Sequence, residues 1–132
     1  MERLHQDSEP FILVGLSLGG VLALDFSRQN FPQLKGLVLA GTQYKLSTNP
    51  LYRLQILTEL KGLNLTAVAK YCSLSSLGVC GSRDWTNRTS SKKLVKLLPK
   101  GRYQEIADGG HLLNTENPYE LAQVIKEFVG EF

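Results

Sequence analysis

The stretch Phe11-Ile12-Leu13-Val14-Gly15-Leu16-Ser17-Leu18-Gly19-Gly20-Val21-Leu22-Ala23-Leu24 decides the fold. Phe11 to Val14 is a short apolar run bounded by Pro10 and Gly15, the pattern of a strand buried on both faces of a parallel sheet. Gly20 to Gln29 carries Val21, Leu22, Leu24 and Phe26 on a broad apolar face, and Pro32 marks where that helix must have ended. Leu37 to Ala40 then reads as a second buried strand closed by Gly41. The three segments make a βαβ unit.

Between strand and helix stands Gly15-Leu16-Ser17-Leu18-Gly19, a G-x-S-x-G pattern whose meaning comes from that context. A turn this sharp brings backbone close to the serine, so the pattern predicts glycines where side chains would clash. The helix begins beside the serine, so the N–H of Leu18 and the positive helix end can face a developing oxyanion. The rival readings are a plain strand-to-helix turn and a dinucleotide loop. The second fits poorly, because Ser17 stands where G-x-G-x-x-G needs glycine and no acidic residue follows the strand near Ala40.

Working outward, the strand rhythm stops from Thr42 to Ser73. There Leu51, Leu54, Leu57 and Leu60 recur at near-helical spacing, which predicts two short helices. Leu77 to Cys80 restores a strand, Ser90 to Leu98 a helix, and Tyr103 to Ile106 another strand. Asn117-Pro118 opens a last helix with proline in its first turn and Leu121, Val124, Ile125 and Phe128 on one stripe. The expected architecture is α/β in three layers: a mostly parallel sheet of about four strands flanked by helices, in a single domain over residues 1–132.

Composition narrows the function classes. In 132 residues, 42% are hydrophobic and 20% charged, which excludes disorder and collagen-like repeats. The net charge of +3 is mild. Lys92, Lys93, Lys96 and Lys100 alternate with Leu94, Val95, Leu97 and Leu98 as on the wet side of an amphipathic helix, so no nucleic-acid partner is expected. The apolar run from Phe11 to Leu24 is shorter than the roughly 20 residues of a spanning helix. The residues before it, with Glu2, Asp7 and Glu9 against Arg3, do not form a positive leader. No membrane association is expected. Cys72 and Cys80 have no C-x-x-C or Cys/His metal spacing, and read as reduced thiols of a cytoplasmic protein.

Two polar groups follow later strands: Gly81-Ser82-Arg83-Asp84 and Gly109-Gly110-His111. Both fall at the carboxyl ends of strands, the edge where ligands bind in open parallel sheets. Asp84 has rival roles as a helix cap or a partner of Arg83, and Asp108 is a second acidic candidate. His111 competes with a surface-loop reading, His5 lies in a polar leader, and Trp85 is expected to pack beside the site.

The order Ser17, Asp84, His111 is the nucleophile, acid, histidine order of the α/β-hydrolases, and here the chain resembles that family. The Gly-Gly-His-Leu turn at Gly109 and the Asn-Pro at Asn117 strengthen the resemblance. It runs from the elbow strand to the last helix, with residues 42–73 matching only as a short helical cap.

The resemblance implies a serine hydrolase acting on carboxylic esters or related small acyl substrates. Ser17 would be the nucleophile, His111 the general base, Asp84 the orienting acid and Leu18 an oxyanion donor, with no cofactor and no metal required. It also implies a truncated fold. A complete member has further strands before the elbow strand, together with a loop that supplies a second oxyanion donor; losing one such donor costs on the order of 10²–10³ in rate. The alternative is a catalytically impaired or inactive remnant acting as an oligomerising or binding module. Either way the elbow strand is expected at an open sheet edge, with a homodimer formed through it.

Overall fold

The computed structural model describes residues 9–44 and 64–132. The leucines expected in helices at Leu51, Leu54, Leu57 and Leu60, and His5, lie outside the described residues, as does most of the 42–73 cap.

Four strands form the sheet: β1 (Phe11–Leu16), β2 (Leu34–Ala40), β3 (Ser75–Gly81) and β4 (Gly101–Ile106). They lie in the order β1-β2-β3-β4, and every pairing is parallel. Around them run α1 (Leu18–Phe26), α2 (Thr66–Tyr71), α3 (Trp85–Leu97), α4 (Leu113–Glu116) and α5 (Pro118–Val129). The architecture is the expected three-layer α/β arrangement.

The alternation of side chains along β2 explains why its sequence is apolar throughout. Leu37 and Leu39 face one layer, packing with Val21 and Leu24 of α1, Ala69 of α2 and Leu94 of α3. Val38 and Ala40 face the other, with Leu77 and Val79 of β3, Leu113 of α4, and Leu121, Val124 and Phe128 of α5. Leu37, Val38 and Leu39 are fully buried. Each such aliphatic side chain contributes about 1.5–3 kcal/mol by leaving water.

β1 departs from the expected strand buried on both faces. Phe11, Ile12 and Leu13 are only half-buried and Val14 is 39% exposed. The reason is position: β1 pairs with β2 alone and forms an edge of the described sheet. On α1, Val21 and Leu24 enter the core as expected, but Leu22 is 57% exposed. That helix starts at Leu18 and tightens after Phe26 into a single 3-10 turn, Ser27–Gln29, which Asn30 ends in the left-handed conformation.

α3 begins at Trp85, five residues before the expected Ser90; Trp85 to Thr89 carry no apolar period by which their helical turns could be read from the sequence. Glu105 of β4 ties this helix to the sheet, accepting from Arg88 Nε at 2.8 Å and Tyr103 Oη at 3.1 Å. Burial pushes the Glu105 carboxyl up, but the Arg88 guanidinium and the Tyr103 hydroxyl outweigh it and hold it below its ordinary value. Among the described residues no helix is long and apolar enough to cross a membrane.

Candidate active site

The parallel register aligns the carboxyl ends of the strands. Leu16 lies opposite Ala40, Ala40 opposite Val79, and Gly81 opposite Ile106. The segments that follow, carrying Ser17, Gly41, Asp84 and His111, therefore leave the sheet along one edge.

Ser17 occupies φ 51° and ψ −116°, a strained conformation for a residue with a side chain. Its N–H donates to the Ala40 carbonyl at 2.7 Å, and its own carbonyl accepts the Gly20 N–H at 3.0 Å, so sheet and helix hold the turn from both sides. The steric need for glycine differs from the expectation. A Cβ on Gly15 would run into the Gly19 carbonyl, and one on Gly20 into the Thr42 side chain, whereas one on Gly19 would meet nothing within 4 Å among the described residues. The close approach therefore requires Gly15 and Gly20, while no described residue crowds Gly19. Leu18 is the first residue of α1, so its N–H has no acceptor within the helix.

Asp84 is 6% exposed and stands immediately before α3, yet its side chain makes no capping bond. It does not pair with Arg83, whose Nε donates to the Asp108 carbonyl at 2.9 Å. Its Oδ2 instead lies 2.7 Å from His111 Nδ1. Both Asp84 oxygens also lie near Asn87 Nδ2, at 2.9 and 3.1 Å. Asp108 is exposed with φ 57°, and its N–H donates to Ser82 Oγ at 2.8 Å. Its backbone shapes the loop while Asp84 meets the histidine.

The His111 side chain is 34% exposed. A carboxylate can only accept, so the 2.7 Å bond places a proton on Nδ1 and leaves Nε2 free to accept one. The ring lies against Gly41, where φ is 59° and a Cβ would sit 3.2 Å from Nδ1 and 3.4 Å from Asp84 Oδ2. Gly41 follows Ala40, the partner of the Ser17 N–H. Ser17 and His111 thus flank the same strand end, and the Ser17 hydroxyl makes no hydrogen bond among the described residues. Such bonds commonly form only with substrate in place.

Below the pair, Cys80 is fully buried with its Sγ 3.8 Å from Asp84 Oδ2. Burial first, then the Asp84 charge, pushes this thiol up to about 11, so it stays a neutral thiol. Trp85 was expected beside the site as packing; its ring is 78% exposed, because the first turn of α3 points it to solvent. Three contributors went unread in the sequence: Asn87, Gln43 and Thr42. Asn87 had one available signal, its i,i+3 spacing from Asp84.

The path of the four-stranded parallel sheet and its flanking helices is shared with known structures. The chain has the α/β-hydrolase fold. A thermophilic esterase from Thermogutta terrifontis superposes with a TM-score of 0.76 at 18% identity, over 94% of this chain and 66% of that one. An alpha/beta hydrolase from a sediment metagenome of the Mar Chica lagoon, Morocco, gives 0.76 at 24% identity over 93% and 62%. A serine hydrolase involved in carbazole degradation gives 0.78 at 18% identity over 96% and 66%. No protein-family model and no curated protein matches the chain. The α/β-hydrolase likeness therefore concerns the fold, of which this chain spans about two thirds of the length of these structures.

Proposed function

We propose that this chain carries the acyl-transfer site of a serine hydrolase acting on carboxylic esters or related acyl compounds. The observation that carries the reading is the 2.7 Å contact between His111 Nδ1 and Asp84 Oδ2, made at the strand end that also holds Ser17. A buried carboxylate bonded to one imidazole nitrogen leaves the other as a base.

In the proposed reaction His111 Nε2 takes the Ser17 hydroxyl proton as Oγ attacks the acyl carbon. The carbonyl oxygen, now negative, turns toward the Leu18 N–H at the start of α1. Asp84 stabilises the imidazolium and keeps the productive tautomer. His111 then returns the proton to the leaving alcohol, water enters under the same base, and the acid product leaves Ser17. The neighbours described as an esterase and a serine hydrolase support this substrate class. Treatment of the purified chain with a fluorophosphonate, followed by peptide mass spectrometry, tests it: the adduct is expected on Ser17 and absent from Ser17→Ala. Labelling of a different serine would remove the assignment.

A second reading has an observation of its own. Val14, Leu18 and Leu22 are 39%, 44% and 57% exposed, on and beside the edge strand β1. An edge strand offers unpaired N–H and C=O groups to another strand. These three side chains carry no charge, so identical copies can face one another without like charges opposed. The proposed occupant is a second copy of the chain, related by a two-fold axis.

A further inference from the structure

Asn87 is a polar side chain only 4% exposed, three residues after Asp84 and so on the same side of the chain entering α3. Its Nδ2 lies 2.9 and 3.1 Å from the two Asp84 oxygens and 3.0 Å from His111 Nδ1. Its Oδ1 lies 2.7 Å from Gln43 Nε2. The carboxylate settles the direction of this whole chain of amides. Asp84 can only accept, so Asn87 must turn its NH2 toward it; its carbonyl then faces Gln43, which must donate.

His111 Nδ1 already donates to Asp84, so the Asn87 amide does not donate to the ring. The two donors lie side by side and converge on one carboxylate, with Cys80 Sγ as a third, weaker donor at 3.8 Å. The bond from Asn87 to both oxygens fixes the rotation of the carboxylate plane. Without it, the carboxylate could turn about its last torsion and carry Oδ2 off the line of the imidazole N–H.

We infer that Asn87, held by Gln43, is a positioning residue that sets the plane of the Asp84 carboxylate for His111. The inference rests on the reading of Ser17, His111 and Asp84 given under Proposed function. It adds a second tier: Gln43, two residues beyond Gly41, sets the Asn87 amide, and Asn87 sets the acid.

Two readouts test it. One is the rate of fluorophosphonate labelling at Ser17. The other is the low-field proton resonance of His111 Nδ1–H, assigned by its disappearance in His111→Ala. Asn87→Leu removes the donor and is expected to slow labelling about 10- to 100-fold, the effect of losing a hydrogen bond to a charged group. It should also lose the resonance to exchange while circular dichroism remains that of a folded chain.

Gln43→Glu keeps the shape but accepts where glutamine donates, pulling the Asn87 NH2 away from Asp84. It should slow labelling in the native background and have no further effect on top of Asn87→Leu, because the two residues act in series. Should Asn87→Leu fail to fold, Gln43→Glu reads the same relay. A resonance and a labelling rate unchanged in these variants would overturn the inference. If the native chain is not labelled at Ser17, the hydrolase reading fails separately, and the resonance decides alone: its loss supports the positioning role and its persistence removes it.

Discussion

The backbone N–H of Ser17 donates to the carbonyl of Ala40 across 2.7 Å, tying the end of β1 to the end of β2 one residue before the glycine that bears the His111 ring. This single bond joins the strained turn to the strand end that the Asp84–His111 pair faces. Gly41 should therefore be intolerant. Gly41→Ala places a Cβ 3.2 Å from His111 Nδ1 at φ 59°, and is expected to cost about 1–3 kcal/mol of stability and most of the Ser17 labelling. Urea titration and probe kinetics on the same variant check both; native values in each would show that the ring can shift without consequence.

The glycines around the elbow should separate into two kinds. Gly15→Ala and Gly20→Ala meet the Gly19 backbone and the Thr42 side chain, and should destabilise by about 3 kcal/mol or more. Gly19 lies in α1 with no described residue in the way of a Cβ, so Gly19→Ala should be neutral or stabilise by up to about 1 kcal/mol, the helix preference for alanine over glycine. Thermal denaturation of the three variants gives the order, and a strongly destabilised Gly19→Ala would contradict the geometry.

The two acidic candidates should also separate. Asp84→Asn is expected to reduce labelling and any esterase turnover severely through the wrong histidine tautomer, by as much as about 10⁴-fold. Asp108→Asn, whose carboxylate is exposed, should change either by less than about twofold. Ser17→Ala and His111→Ala should each remove nearly all turnover, with little further loss on combining them. A harmless Asp84→Asn beside a crippled Asp108→Asn would reverse the assignment.

Alkaline stability should be limited from within the core. The buried Cys80 thiol titrates at about 11 in the folded chain against an ordinary value of 9.0, so the unfolded chain releases the proton first as pH rises. Its contribution is fully present below about pH 9 and is lost as pH rises through the folded value, a change of roughly 3 kcal/mol. Tyr103 acts in the same direction, raised first by burial and then by its bond to Glu105. Melting temperatures followed from pH 8 to 11 should fall less steeply in Cys80→Ala than in the native chain. Equal slopes would mean that the thiol is not shielded as its burial implies.

Association should depend on the flank of β1. Sedimentation over a range of concentrations is expected to show a reversible dimer that Leu22→Glu disrupts, since a charge would then be buried at each of two symmetric positions. A monomer at the highest concentration attainable would show that this edge is stable in water.

The amino-acid sequence determined the layers, because burial on both faces demands continuous apolar runs such as Leu37 to Ala40 and one-sided burial demands a stripe such as Leu121, Val124 and Phe128. It also located the turn at Ser17, since glycines between a strand and a helix are a local requirement of the backbone. Tertiary structure alone decided what depends on which elements become neighbours. It left Val14 of β1 39% exposed, although that apolar run reads like a strand buried on both faces. It moved the steric need for glycine from Gly19 to Gly20, because the obstacle is Thr42 from another segment. It brought Asn87 and Gln43, 44 positions apart, into one hydrogen-bonded chain behind the Asp84–His111 pair that the order of the motifs already implied. Local patterns report the period of burial along one segment; the partner of a buried polar atom is set by the packing of several, and a single sequence carries no period for that.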